Sequence, residues 1–210
     1  MKKPELLAPA GNLEKLKIAI DYGADAVYCG GHNYGLRSGA DNFTLEDLKE
    51  GTEYAHNNNS NIYITVNMMP HNHELEALPK YLRELEEIGV DSLIVSDPGV
   101  LNIIKEEEIK TPIHLSTQAN TVNWSSANFW QKQGVERVIL ARELSKDEIA
   151  EFNNKSTIEK EMFIHGSMCI SYSGRCLLSN YMIGRDANRG QCAHSCRWKY
   201  HLVEEKRPGE

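Results

Sequence analysis

Four cysteines fall within 28 residues of one another, spaced Cys169-x6-Cys176-x15-Cys192-x3-Cys196, and a fifth, Cys29, lies far upstream. Four thiolates can hold a zinc ion or a [4Fe–4S] cluster. The spacing is not the paired CxxC of a zinc ribbon. Irregular spacing on loops is more usual for a cluster held between segments than for a compact finger. We therefore read Cys169, Cys176, Cys192 and Cys196 as candidate metal ligands, with [4Fe–4S] as the expected cofactor and zinc as the alternative. Free buried thiols are the inert alternative. Cys29 ends an apolar run and reads as a core residue.

The charge around these cysteines differs from that of the whole chain. The 210 residues carry a formal net charge of −7, which argues against non-specific nucleic-acid binding by the surface as a whole. Between His165 and His201, however, the only acidic residue is Asp186, against Arg175, Arg185, Arg189, Arg197 and Lys199. Such a patch suits a phosphate, a carboxylate substrate or an RNA backbone. A set of solvated arginines is the plain alternative.

The elements before the cysteines must position them. Strand-like runs occur at Glu5–Gly11, Ala26–Gly31, Asn61–Asn67, Ser92–Asp97, Ile113–Thr117, Arg137–Ala141 and Glu161–Gly166. Helical patterns alternate with them. Asn12 caps the first, Thr44 with Asp47 makes a capping box for the second, His73 to Ile88 forms another, and Pro98 opens the next. Asn123 or Ser125 caps the following one, and Ser145 with Glu148 makes a second capping box. The segments YGADAVYC, IGVDSLIV and QGVERVIL each end a helix, pass a glycine and enter a strand. The loop from His32 to Phe43 is polar and glycine-bearing.

Alternating βα units predict a parallel sheet. An open doubly wound sheet competes, but no Gly-rich phosphate fingerprint follows the first strand. The repetition favours a TIM-barrel-like (β/α) barrel, incomplete at about seven strands, with the cysteine-rich segment after the seventh. Tyr200 to Glu204 is strand-like but lies far beyond. We expect a single domain over residues 1–210, with residues 166–210 forming the cysteine-rich segment and tail within it. No stretch approaches ~18 uninterrupted apolar residues, so no membrane span is expected. The N-terminus makes a poor signal peptide. The expected location is the cytoplasm.

Barrel chemistry sits at the C-terminal ends of the strands. Polar residues there are Asn67, Asp97, Ser116, Thr117, Gln118, Arg142, Glu143 and His165. Arg142 and Glu143 directly after a strand are costly to bury unpaired, so they pair with something or contact a ligand. His165 is a candidate acid/base, and Glu143 joins it as a candidate catalytic residue. Asn67, Gln118, Arg142 and Arg189 are candidate substrate-binding residues, the arginines as bidentate clamps for a carboxylate or phosphate. There is no HExxH and no GxSxG, and nothing marks Ser167, Ser171 or Ser173 as an activated nucleophile.

The segment Glu161-x-Phe163-x-x-Gly166-Ser167-Met168-Cys169-x4-Gly174-x-Cys176-x-Leu178-Ser179 resembles the signature of the peptidase U32 family, the collagenase-like proteases. Asn188 to Cys192, Cys196 to Tyr200, Leu6 to Gly11, Ser116 to Gln118 and Arg142 to Leu144 are also similar to that family. The resemblance covers essentially the whole chain and implies a TIM-barrel-like catalytic domain. It implies more than one activity: proteolysis for some members, and RNA hydroxylation for others, on a tRNA wobble uridine or a ribosomal cytidine. Still others hydroxylate the ubiquinone ring without oxygen. The hydroxylating members carry a [4Fe–4S] cluster. Cys169, Cys176 and Cys192 match three of its ligands; the fourth is Cys196 or a cysteine further on than Glu210. Members are usually about twice this length, so a fragment or short form is expected. The resemblance favours an iron–sulfur protein of tRNA hydroxylation, acting on tRNA or another RNA, with a small carboxylate co-substrate as a further ligand and a related U32 subunit as a partner. The alternatives are a collagenase-like peptidase and a non-catalytic cluster-binding subunit.

Overall fold

The computed structural model describes residues 3–32, 34–36 and 42–207. Seven strands run in order as one wholly parallel sheet: β1 Leu7–Pro9, β2 Ala26–Cys29, β3 Asn61–Val66, β4 Ser92–Val95, β5 Ile113–Leu115, β6 Arg137–Ile139 and β7 Glu159–Glu161. Each pairs with the next, from Leu7 opposite Ala26 to Ile139 opposite Glu161. Helices α1 Leu13–Asp21, α2 Leu45–Asn57, α3 Asn72–Leu75, α4 Leu78–Ile88, α5 Pro98–Glu106, α6 Trp124–Lys132 and α7 Lys146–Lys155 fill the crossovers, and α8 Leu178–Ile183 follows β7. Among the described residues no helix is long and apolar enough to cross a membrane.

Local chemistry sets the helix ends as expected. The side chains of Asn12, Asp97 and Asn123 accept first-turn N–H groups, and Thr44 with Asp47 and Ser145 with Glu148 form reciprocal capping boxes. The three repeated glycine connectors share one backbone state. Gly23, Gly89 and Gly134 have φ of 96°, 83° and 91°, the left-handed region open to glycine without a Cβ clash.

The two faces of the sheet have separate cores. The outer face packs Ile62, Ile64, Leu93 and Leu115 against Leu16, Leu48, Leu82, Leu85, Ile104 and Phe152 of the helices. The inner face gathers Ala26, Tyr63, Ile94 and Ile139 with Leu7 and Tyr28. Adjacent residues Ile62 and Tyr63 therefore serve opposite layers, as strand alternation requires. The sheet curls far enough for Arg137, the first residue of β6, to reach Glu5, just ahead of β1, at 2.7 Å. Among the described residues no strand joins β7 to β1, so the barrel stays open there. Cys29 is buried in the outer core, as expected.

Two expected elements are corrected. The pattern from His73 to Ile88 is not one helix. α3 stops at Leu75 and α4 starts at Leu78, because Pro79 lacks an N–H and its ring would meet the carbonyl of Leu75 in a continuous helix. The seventh strand is Glu159–Glu161, not Glu161–Gly166. Ion pairing fixes that register: Arg137 sits opposite Glu159 and binds it at 3.0 Å. Met162, Phe163 and Ile164 run past the sheet, and Ile164 is 80% exposed. Tyr200 to Glu204 forms no strand. Asn33 and residues 37–41 of the polar loop, and the terminal residues 1–2 and 208–210, lie outside the described residues.

Candidate functional site at the barrel mouth

The strand ends converge on a bonded polar layer. Asn67 leaves β3 and donates its amide N–H to Ser116 Oγ at 3.2 Å and to Gln118 Oε1 at 3.5 Å. The Ser116 hydroxyl is bonded to the same Gln118 oxygen. Ser96, beyond β4, donates its hydroxyl to the Asn67 carbonyl at 2.8 Å. A single turn of 3-10 helix, Thr117–Ala119, points Gln118 inward. Asp97 is not part of this layer; its carboxylate caps α5 through Gly99 and Val100.

Arg142 and Glu143 follow β6 and grip the cysteine segment by its backbone. The Arg142 guanidinium donates to the carbonyls of Cys169 at 2.9 Å and Ser171 at 3.1 Å. The Glu143 carboxylate accepts the backbone N–H of Ser173 at 2.6 Å and its hydroxyl at 2.8 Å. Burial would raise the pKa of Glu143, but the two Ser173 bonds and the adjacent Arg142 outweigh it and hold the carboxyl below its usual range. Arg175 Nε donates to the Gln118 carbonyl at 2.7 Å. A small cavity of about 90 Å³ lies beside Arg142, walled by Leu140, Leu144, Phe163 and Met168. A larger one of about 370 Å³ lies between the loop after β2 and the N-terminal parts of α2 and α4, lined by His32, Tyr34, Leu45 and Tyr81.

The cysteines occupy a stretch of short turns. Cys176 exchanges two hydrogen bonds with the Asn188 side chain, at 3.0 and 3.1 Å, and the Asn188 carbonyl accepts from Met69 N–H at 3.1 Å. Cys176 Sγ accepts the Leu178 N–H at 3.3 Å, and Cys192 Sγ accepts the His194 N–H at 3.4 Å and the Ser179 hydroxyl at 4.0 Å. Cys169, Cys192 and Cys196 are exposed and Cys176 is half-buried. Among the described residues no three Cys, His, Asp or Glu side chains converge closely enough to hold one ion.

The structure therefore sorts the sequence candidates. It joins Asn67, Gln118, Arg142 and Glu143 through the mouth layer and the loop above it. It does not bring His165 to them: that side chain is exposed. Arg189 pairs with Glu74 of α3, which anchors the far end of the cysteine segment to the barrel rim. Arg185, Arg197 and Lys199 are exposed. Sequence reasoning gave no positioning role to Ser173 or Asn188. Both sit in turn-forming contexts, Ser173-Gly174 and Asn188-Arg189-Gly190, which was the available signal.

Comparison with known proteins agrees with this architecture. The family model described as Peptidase family U32 matches residues 11–210. The tRNA hydroxylation protein P1 of Bacillus subtilis is 53% identical over 203 residues, covering 97% of this chain and 48% of that protein. The tRNA hydroxylation protein P of Escherichia coli is 48% identical over 207 residues, covering 98% and 46%. The solved structure of a U32 peptidase overlays with a TM-score of 0.64 at 12% identity, covering 77% of this chain and 70% of that one, which supports the fold. The chain spans about half the length of the curated relatives it matches.

Proposed function

The chain belongs to peptidase family U32, and on that premise we propose that it takes part in RNA hydroxylation with tRNA as substrate. The observation that carries the proposal is the 53% identity to a tRNA hydroxylation protein across 97% of this chain, too long a match to omit the mouth or the cysteine segment. The exposed cations Arg185, Arg197 and Lys199 suit an RNA backbone, and the Asn67, Ser116 and Gln118 layer suits a polar group entering the mouth. Peptidase chemistry has less support. Among the described residues no serine or cysteine side chain is hydrogen-bonded to a histidine ring, and the buried Ser173 hydroxyl donates to Glu143 instead.

The cofactor proposed is a [4Fe–4S] cluster held by Cys169, Cys176, Cys192 and Cys196, with zinc as the alternative. The donor set fits chemically: four thiols in one segment, two of them with sulfurs that accept backbone N–H groups, the kind of bond that tunes such a cluster. The four sulfurs do not converge as the segment stands, so binding would draw its turns together. A bound cluster supplies one-electron redox chemistry. The chain's own part is to hold the thiolates over the mouth and to orient the RNA.

Two measurements test this reading. Deleting the gene removes hydroxylated wobble uridine from bulk tRNA, read by mass spectrometry of nucleosides, and the wild-type gene restores it; unchanged tRNA overturns the substrate. Protein purified without oxygen is brown and contains iron and labile sulfide, and each Cys→Ser change at the four positions loses them. Colourless protein with stoichiometric zinc overturns the cluster. An unaffected Cys196→Ser variant places the fourth ligand elsewhere.

A further inference from the structure

We infer that Arg142 and Glu143 are positioning residues: together they clamp the Cys169–Ser173 stretch onto the barrel mouth and fix where the Cys169 thiol stands relative to the other three. The clamp rests on geometry alone; its consequence for metal uptake rests on the cluster reading above. Four bonds run from this dipeptide to Cys169, Ser171 and Ser173, two to carbonyls and two to one serine. Both charged side chains thus bond the loop, at the place where a ligand would otherwise be expected, and of the Arg142 guanidinium the buried Nε is left without a partner.

The backbone they hold is not one the chain adopts unaided. Ser173 is wholly buried and sits at φ 46°, ψ 28°, a left-handed conformation unfavourable to any residue with a Cβ. Gly174 follows at φ 80°, and a Cβ there would stand 3.5 Å from Gln118 Nε2 and 3.9 Å from Arg142. The loop is therefore bent back on itself directly over the mouth. Hydrogen bonds to a charged partner are stronger than those between neutral groups, and two of them to one residue offset that cost. The Arg175 bond to Gln118 completes the attachment on the far side of the bend.

Among the described residues, no side chain at the strand ends bonds Cys192 or Cys196 directly. Their turns are held from within the segment, by Ser179 on the Ala193 N–H at 3.1 Å and by the Tyr200 hydroxyl on the Ser195 carbonyl at 2.7 Å. The barrel thus holds the segment at two separate places, at the mouth through Arg142 and Glu143 and at the rim through Glu74 on Arg189 and Met69 on Asn188, and the Asn188 side chain ties Cys176 to the second of these. Loosening the clamp should move Cys169 relative to Cys176, Cys192 and Cys196, because the Asn188 and Arg189 contacts still hold the rest of the segment on the rim.

The test uses the full chain with Glu143→Ala, Glu143→Gln, Arg142→Lys and Ser173→Ala, each compared with wild type. In metal-free protein, hydrogen exchange read by mass spectrometry should rise about tenfold or more over residues 171–175 in Glu143→Ala. Residues 193–198 should be unchanged. Glu143→Gln and Ser173→Ala should rise less, because each keeps part of the bonding. Alkylation of Cys29, buried in the core, reports folding: it stays unlabelled if the barrel is intact. After anaerobic reconstitution with iron and sulfide, Glu143→Ala should bind less cluster and give an altered visible and electron paramagnetic spectrum, with Arg142→Lys in between. Unchanged exchange over 171–175 in a folded Glu143→Ala variant overturns the clamp. Equal uptake with an identical spectrum overturns its positioning role. Wild-type protein that takes up no iron overturns the cluster reading instead, and the exchange arm still decides the clamp.

Discussion

One short strand opens on an arginine and is followed, three residues past its end, by another, and the two are used in opposite ways. Arg137 opens β6 and lies on the barrel floor, where it reaches Glu5 at 2.7 Å, Glu159 at 3.0 Å and Glu161 at 3.5 Å. Tyr63 stacks its ring within 5.3 Å of the same guanidinium and donates its hydroxyl to Glu5 at 2.9 Å. Arg142 follows the strand at the mouth and binds two carbonyls of an irregular loop. The floor joins side chains from strands far apart in sequence and so determines whether the sheet curls. The mouth joins side chains to backbone and so determines where one loop lies. Loss of the first should be felt throughout the molecule, and loss of the second only locally.

The largest expected effect comes from the floor. Arg137→Met leaves Glu5, Glu159 and Glu161 close together with no cation among them. Breaking a buried ion pair by removing one partner costs about 3–5 kcal/mol. Urea denaturation should show a loss of that size, while Arg142→Met should lower global stability far less, because its bonds hold one surface loop. Equal losses at the two positions would break the comparison.

A second effect on the floor depends on pH. Burial pushes the Glu161 carboxyl up to about 7, because Arg137 is shared with Glu5 and Glu159 and only partly offsets the desolvation. His114, T-stacked on Tyr63 at 4.7 Å, is driven down to about 3 by burial and by Arg137, and Tyr63 is raised to about 12, so neither ionises near neutrality. The folded state therefore holds the Glu161 proton more tightly than the unfolded chain does. Its contribution to stability is complete below pH ~4.5, falls as pH rises, and is gone above about 7. The ceiling on that loss is about 3 kcal/mol. Glu161→Gln, which cannot ionise, should flatten the decline in urea midpoint between pH 5 and pH 8. A variant with the wild-type slope would show that Glu161 is already ionised at pH 5.

What the sequence made legible follows from how local the cause is. Caps at Asn12, Thr44 and Ser145 and the glycine connectors act within a few residues and are legible, and Asn123 is the one of the two offered caps, Asn123 or Ser125, that the helix uses. β7 was misplaced because Glu159, Lys160 and Glu161 look like loop residues. They form a strand because Arg137, more than twenty residues away, pairs with two of them across the sheet. The apolar run Met162 to Ile164 looked more like a strand but has no covering element. At the site, the sequence placed Arg142 and Glu143 at the mouth and allowed either pairing or ligand contact. Their pairing with a loop some thirty residues on is a tertiary fact. His165 lies four residues before Cys169, yet its side chain is exposed, and among the described residues no hydrogen bond ties it to the mouth layer.

The smallest expected effect separates backbone strain from side-chain bonding inside the clamp. Ser173→Gly and Ser173→Ala both delete the hydroxyl bond to Glu143, and both keep the backbone N–H that Glu143 also accepts. Alanine must still adopt the left-handed conformation at φ 46°, whereas glycine adopts it freely. The two variants should therefore differ by about 1 kcal/mol in the local stability of residues 171–175, with alanine the weaker. Exchange rates over that stretch measure the difference as roughly a fivefold ratio. Glycine would also relieve the native strain, so its loop should exchange nearly as slowly as wild type despite the missing hydroxyl. Equal rates for the two variants would mean that Ser173 carries no backbone strain, and that Glu143 holds the loop against its entropy alone.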